Sequence, residues 1–124
     1  MTTAEREILS LERQQAAHFN DRDIEAILQQ FAPAFVGFSS TRHKRIAGRA
    51  ALEKTFHHYL RQSPRTRYRI RQPLVQVFDG MAVASFYWTV ELSPARRIEG
   101  RGSHVFAKRG GRWQIVHEHF SRAH

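Results

Sequence analysis

Apolar positions in the first third of the chain recur at helical spacing. Ile8, Leu11, Gln15, Ala16 and Phe19 fall on one stripe of a helix, and Thr3 ahead of Ala4, Glu5, Arg6 and Glu7 reads as its N-cap with acid in the first turn. Asn20-Asp21-Arg22-Asp23 breaks the stripe. Asp23 then caps a second, short helix that buries Ile24, Ile27, Leu28 and Phe31 and ends at Pro33. Phe35 to Ser40 predicts a strand, Thr41 to Ala47 a basic turn, and Gly48 opens a third helix with Leu52, Phe56 and Tyr59 on one stripe. Ser63-Pro64 closes it.

From there the period changes to two. Tyr68 to Phe78 predicts a strand with a bulge or an edge position at Pro73, and Asp79-Gly80 is a hairpin signal. Met81 to Leu92 is a long strand whose even positions (Ala82, Ala84, Phe86, Trp88, Val90, Leu92) are all apolar. Arg97 to Arg109 follows, with bend points expected at Gly100 and Gly102. Gly110-Gly111 turns the chain into a last strand, Arg112 to Ser121. Helices first and antiparallel strands after make an α+β class, read as one domain over residues 1–124. Strands this long twist and curve, and helices on the concave side leave a mouth that is a pocket.

Composition narrows the picture. Hydrophobic residues make up 41% and charged residues 25%, globular values, and the chain contains no cysteine for disulfides or thiolate metal sites. No apolar run is long enough for a membrane span, and no signal peptide is evident, so a cytoplasmic location without membrane contact is expected. The net charge is +9, and it is unevenly placed. Residues 41–72 hold ten basic groups against Glu53 alone, whereas residues 1–40 hold three basic and six acidic groups. Such a patch attracts anions, or is simply a solvated arginine-rich surface. No aromatic stacking platform accompanies those arginines, so nucleic acid ranks last among partners.

The last hairpin carries the most specific pattern. Gly100-Arg-Gly-Ser-His-Val-Phe leads into Gly110-Gly-Arg-Trp113-Gln-Ile-Val-His117-Glu-His119-Phe-Ser121. This resembles the closing hairpin of the SnoaL-like group in the nuclear transport factor 2-like superfamily. It is also similar to the association (hub) domain of calcium/calmodulin-dependent protein kinase. Phe19-Asn20-Asp21-Arg22-Asp23, Phe31-Ala32-Pro33 and Gly48-Arg49-Ala50-Ala51-Leu52 resemble the front half of the same superfamily. The resemblance implies a cone-shaped, cystatin-like fold, three N-terminal helices on a curved, mostly antiparallel sheet, and a homodimer. It does not imply one function, because the fold hosts enzymes, binders and assembly domains. The acid–base positions of ketosteroid isomerases in this superfamily fall near Gln15, Ser39 and Ser103, none of which supplies that chemistry. The hub's pocket positions fall near His104, Trp88 and Leu52, where only His104 keeps a cationic role.

Several side chains carry candidate chemistry. In the last strand Trp113, Ile115, His117 and His119 share one face, and Gln114, Val116, Glu118 and Phe120 the other. The resemblance turns the second set toward the cone, unless a bulge at Gly110-Gly111 swaps them. His117 and His119, with His104, have metal-ligand spacing, but their more ordinary use is in an interface or in sheet hydrogen bonds, and no metal or cofactor is expected. Glu118 among apolar neighbours is a general acid/base candidate, or pairs with an arginine such as Arg101. Phe38, Phe56, Tyr59, Phe86, Trp88 and Phe120 are expected to wall the cone. Arg67, Arg69 and Arg71 line one face of their strand, a solvated row or an anion site. The expected function is a small-molecule pocket for an apolar or aromatic ligand bearing an anionic group held by His104 or Arg101, with His104 and Glu118 as catalytic candidates of an isomerase- or cyclase-like enzyme. The alternative is an oligomerisation domain.

Overall fold

The computed structural model describes residues 1–62 and 65–123, so the expected helix stop at Ser63-Pro64 lies outside the described residues. Three helices precede most of the sheet: α1 (Thr3–Asn20), α2 (Ile24–Gln29) and α3 (Gly48–Gln62). The strands are β1 (Phe31–Phe38), β2 (Ile46–Ala47), β3 (Arg67–Phe78), β4 (Met81–Ser93), β5 (Arg96–Arg109) and β6 (Arg112–Arg122). They form one sheet in the order β2-β1-β6-β5-β4-β3, antiparallel throughout except for the β1–β6 pair. The helices cover one side, as an α+β fold requires. Among the described residues no helix is long and apolar enough to cross a membrane.

The period-two reading of β4 holds: Ala82, Ala84, Phe86 and Trp88 are buried under the helices, and Val90 and Leu92 are half-buried. With Ile8, Ile27, Phe31, Phe35, Leu52, Phe106 and Ile115 these side chains make the core. Pro73 does sit at a bulge on an edge strand. The β3–β4 register shifts between Arg71 and Leu74, and Gln72 takes a left-handed φ of 52° to absorb the extra length. Gly110 and Gly111 both have positive φ, as a tight hairpin requires.

Four details differ from the sequence reading. The cap of α1 is Thr2, whose hydroxyl accepts from the Glu5 N–H at 3.1 Å, one residue earlier than expected. The second helix stops at Gln29, and Phe31 is the first residue of a strand that runs through Pro33. Proline is tolerated there because the β1–β6 register lapses between Phe31 and Val36, and Arg49 of α3 holds the Phe31 carbonyl through Nε at 2.9 Å. Gly100 and Gly102 lie in an unbroken stretch of the β4–β5 and β5–β6 ladders and are not bulges. They make room instead: a Cβ on Gly102 would come within 2.8 Å of Phe86, and one on Gly100 within 2.5 Å of Trp88 Cζ2, so aromatic rings lie directly on the β5 backbone. The bulge in the last hairpin is not at Gly110-Gly111. The β5–β6 register shifts between Val105–His117 and Phe106–Ile115, which leaves Val116 without an opposite number.

Candidate ligand cavity

That extra residue decides which side chains of β6 face the helices. Trp113 and Ile115 point inward before it, and Glu118 and Phe120 point inward after it. The two faces expected from strict alternation are therefore spliced together. His117 and His119 turn to the outer side with Phe38, whose ring lies 5.4 Å from that of His119.

Inside, Glu118 stands directly opposite His104 on β5 and next to Gly37 on β1. Gly37 is required by this approach, since a Cβ there would lie 2.9 Å from Glu118 Cγ. α1 contributes the third member. Ile8, Glu12, Gln15 and Phe19 follow one another at i+4, i+3 and i+4, so a carboxylate is carried in the buried stripe. His104 Nδ1 lies 2.9 and 2.8 Å from the two oxygens of Glu12, and its Nε2 lies 3.0 Å from Glu118 Oε1. Glu12, His104 and Glu118 are 2%, 0% and 7% exposed.

Carboxylates accept, so both ring nitrogens of His104 must donate, and a ring that donates twice is an imidazolium. The electrostatics agree. Burial alone disfavours the charge on His104. The Glu12 charge, the hydrogen bonds to Glu118 and Glu12, and the Glu118 charge together outweigh it, and raise the pKa from 6.5 to about 10. The metal set considered from the sequence does not assemble, because His117 and His119 face away and both nitrogens of His104 are occupied. Among the described residues no group of three His, Cys, Asp or Glu side chains is placed to hold a metal ion.

In front of this triad is a cavity of about 110 Å³. Its walls are Phe19, Ile27, Phe56, Tyr59, Tyr68, Trp88, Val90 and Phe120, and its polar lining is Gln15, Ser39, Ser40 and Glu118. Tyr59 and Thr41 are joined by a hydrogen bond between their hydroxyls. Tyr68 is buried, and burial first, then the charges of Glu12 and Glu118, push its phenol pKa well above 10, so it keeps its proton. The indole N–H of Trp88 is buried without a hydrogen-bond partner among the described residues. None of the described residues that line the cavity is a lysine, arginine or histidine.

Of the candidate residues, Phe56, Tyr59, Trp88, Glu118 and Phe120 come together around this space. Phe86 and His104 pack one layer behind it, with ring centres 5.4 Å apart. Phe38 and Arg101 do not reach it. Gly37 is the inward residue of its pair, so Phe38 is outward, and Arg101 between the inward-facing Gly100 and Gly102 is exposed beside Tyr87. Glu118 thus pairs with His104 rather than with Arg101. Of the isomerase positions, Gln15 and Ser39 do line the cavity, while Ser103 faces outward between Gly102 and His104. Glu12, Phe19 and Tyr68 were not anticipated. The signal for Tyr68 was present in its alternation with Arg67, Arg69 and Arg71, all of which are exposed.

Comparison with known proteins bears on this arrangement. A family model described as SnoaL-like domain matches residues 8–124. No curated protein matches the chain. Among solved structures, a nuclear transport factor 2-like protein of unknown function from Pseudomonas putida KT2440 superposes with a TM-score of 0.90 at 24% identity, covering 98% of this chain and 87% of that one. A Xanthomonas campestris protein assigned as a calcium/calmodulin dependent protein kinase II association domain gives 0.83 at 23% identity, over 95% and 86%. A protein of unknown function with a cystatin-like fold from Nostoc punctiforme PCC 73102 gives 0.82 at 19%, over 99% and 94%. Likeness at these identities establishes the fold.

Proposed function

This chain belongs to the SnoaL-like domain family, and from that premise we propose that residues 1–124 form a single domain that holds a small, mostly apolar molecule in the cavity, with Glu118 as the group that exchanges a proton with it. The observation that carries the reading is one carboxylate in a mostly aromatic and aliphatic lining whose other polar members, Gln15, Ser39 and Ser40, are uncharged, with that carboxylate fixed from behind by a buried imidazolium. A general base needs a lone pair of its own aimed at the ligand's proton, and a defined position. Oε1 of Glu118 is tied to His104, which leaves the rest of the carboxylate for the ligand. The phenol of Tyr68 and the N–H of Trp88 are donors available to stabilise charge that develops opposite. Such a set suits proton transfer at carbon, of the isomerase or cyclase kind. Among the described residues that line the cavity none is a lysine, arginine or histidine, which favours a neutral or positively charged ligand over the anionic group expected from the sequence.

The test uses the two tryptophans as internal reporters. A panel of small ring compounds of about six to ten heavy atoms is titrated while both indole N–H signals are followed by NMR. The reading predicts that some members shift Trp88 in a saturable way and leave Trp113 in place, since Trp113 already donates to Glu7 at 3.0 Å away from the cavity. Silence of Trp88 across the panel contradicts it. For an active compound, Glu118→Gln should retain binding and abolish exchange of ligand protons with deuterated solvent.

A second reading concerns assembly. Leu74, Phe78, Met81 and Tyr87 are exposed on the outer side of the sheet, at 61%, 58%, 38% and 46%. Side chains of this kind in one patch support a homodimer formed through that side.

A further inference from the structure

The cavity's charge and lining together specify more than a small apolar guest. Phe19, Phe56, Tyr59, Tyr68, Trp88 and Phe120 all contribute to its wall. Their rings crowd one another, with Phe19 5.4 Å from Tyr68 and Trp88 6.2 Å from Phe120. An aromatic face is the negative end of a quadrupole and attracts cations within about 6 Å of its centre. Behind the rings, the triad holds one imidazolium against two carboxylates, which leaves a net charge of one minus at the cavity's edge. The carboxylate that touches the cavity is Glu118.

Resting on the reading of this cavity as a ligand site, we propose that its ligand is a small alkylated ammonium ion, caged by the aromatic side chains and neutralised by Glu118. A primary ammonium carries three N–H donors and would leave some of them facing hydrocarbon. Methyl groups on nitrogen remove those donors while the charge stays, and their surfaces pack against rings. Size agrees as well: about 110 Å³ suits a compact head group, well below the roughly 300–1,000 Å³ of a drug-sized site. The imidazolium does not oppose the ligand, because each of its nitrogens already faces a carboxylate.

The experiment compares choline with its uncharged carbon isostere, 3,3-dimethylbutan-1-ol, on the intact chain, by calorimetry and by the Trp88 indole signal. The two have the same shape and differ in the charge. Choline should bind at least about 10-fold more tightly. Glu118→Gln should weaken choline by about 10-fold and leave the isostere within about twofold. Tyr59→Leu, at a position farther from the triad, should weaken choline and spare the isostere, which keeps the test valid if the buried substitution fails to fold. Equal affinity for the two compounds overturns the cation inference and leaves the ligand site standing. If neither compound binds, the inference falls, and the ligand-site reading falls with it only if the neutral ring panel is silent too.

Discussion

At the scale of single residues the chain turns on a histidine whose two nitrogens both face carboxylates. The pH dependence of stability follows from the sign of its shift. The folded-state pKa of about 10 stands above the ordinary 6.5, so folding favours the protonated ring. The stabilisation is complete below about pH 6.5 and is lost as pH rises toward 10. Urea unfolding of the native chain should therefore show a midpoint that falls between pH 7 and 9, while the double variant Glu12→Gln, His104→Gln should be flat over that window. A native profile as flat as the variant's would remove the charge from His104. Glu12→Ala alone leaves the imidazolium short of a buried partner and should cost about 3–5 kcal/mol by urea denaturation. His104 and Glu118 were legible as chemistry-bearing residues in the last hairpin. Glu12 was not, because a carboxylate on a helix is ordinarily a surface residue, and what makes burial tolerable is a histidine 92 positions away.

At the scale of elements, most boundaries could be read from the chain because turn chemistry and period are local. The hairpin glycines, the even face of β4 and the Pro73 bulge all appear where expected. The failures are non-local. The bulge at Val116 has no signature of its own; it is set by matching β5 on one side and β1 on the other, and it decides which of two faces sees the cavity. The end of α1 is fixed to the sheet by Asn20, whose side chain accepts from the Tyr68 N–H at 2.8 Å and donates to the Tyr68 carbonyl at 2.9 Å. It serves an edge strand in place of a missing neighbour. Asn20→Ala leaves both backbone groups without that partner and should destabilise by about 2 kcal/mol in urea. A loss within about 0.5 kcal/mol would mean that water replaces the amide. Gly100→Ala should cost at least about 3 kcal/mol in the same assay, since its methyl would fall 1.9 Å from the Ser121 carbonyl oxygen on β6 and 2.5 Å from the Trp88 ring, so that both the β5–β6 backbone and the ring must shift.

At the scale of the whole molecule, the sheet separates two surfaces of opposite character. The side under the helices encloses the cavity with its net negative edge, and the outer side carries Arg67, Arg69 and Arg71 beside the apolar patch of Leu74, Phe78, Met81 and Tyr87. The clustering of positive charge between residues 41 and 72 was plain in the sequence. That the arginine row stands away from the pocket follows only from the burial of Tyr68 between them. If the outer side pairs two copies, Phe78→Glu with Met81→Glu should convert a dimer to a monomer in sedimentation velocity while the Trp88 signal stays in place. A native chain that sediments as a monomer at all concentrations, or as a large ring, contradicts that assignment. The claim on which the placement of Glu118 as the proton-exchanging group depends is that His104 is held as an imidazolium between Glu12 and Glu118. Nitrogen-15 NMR of the histidine side chains tests it most directly. The account predicts that His104 shows two protonated ring nitrogens from pH 6 to pH 9, both with slowly exchanging protons. A single protonated nitrogen at pH 8, with titration near 6.5, would contradict it.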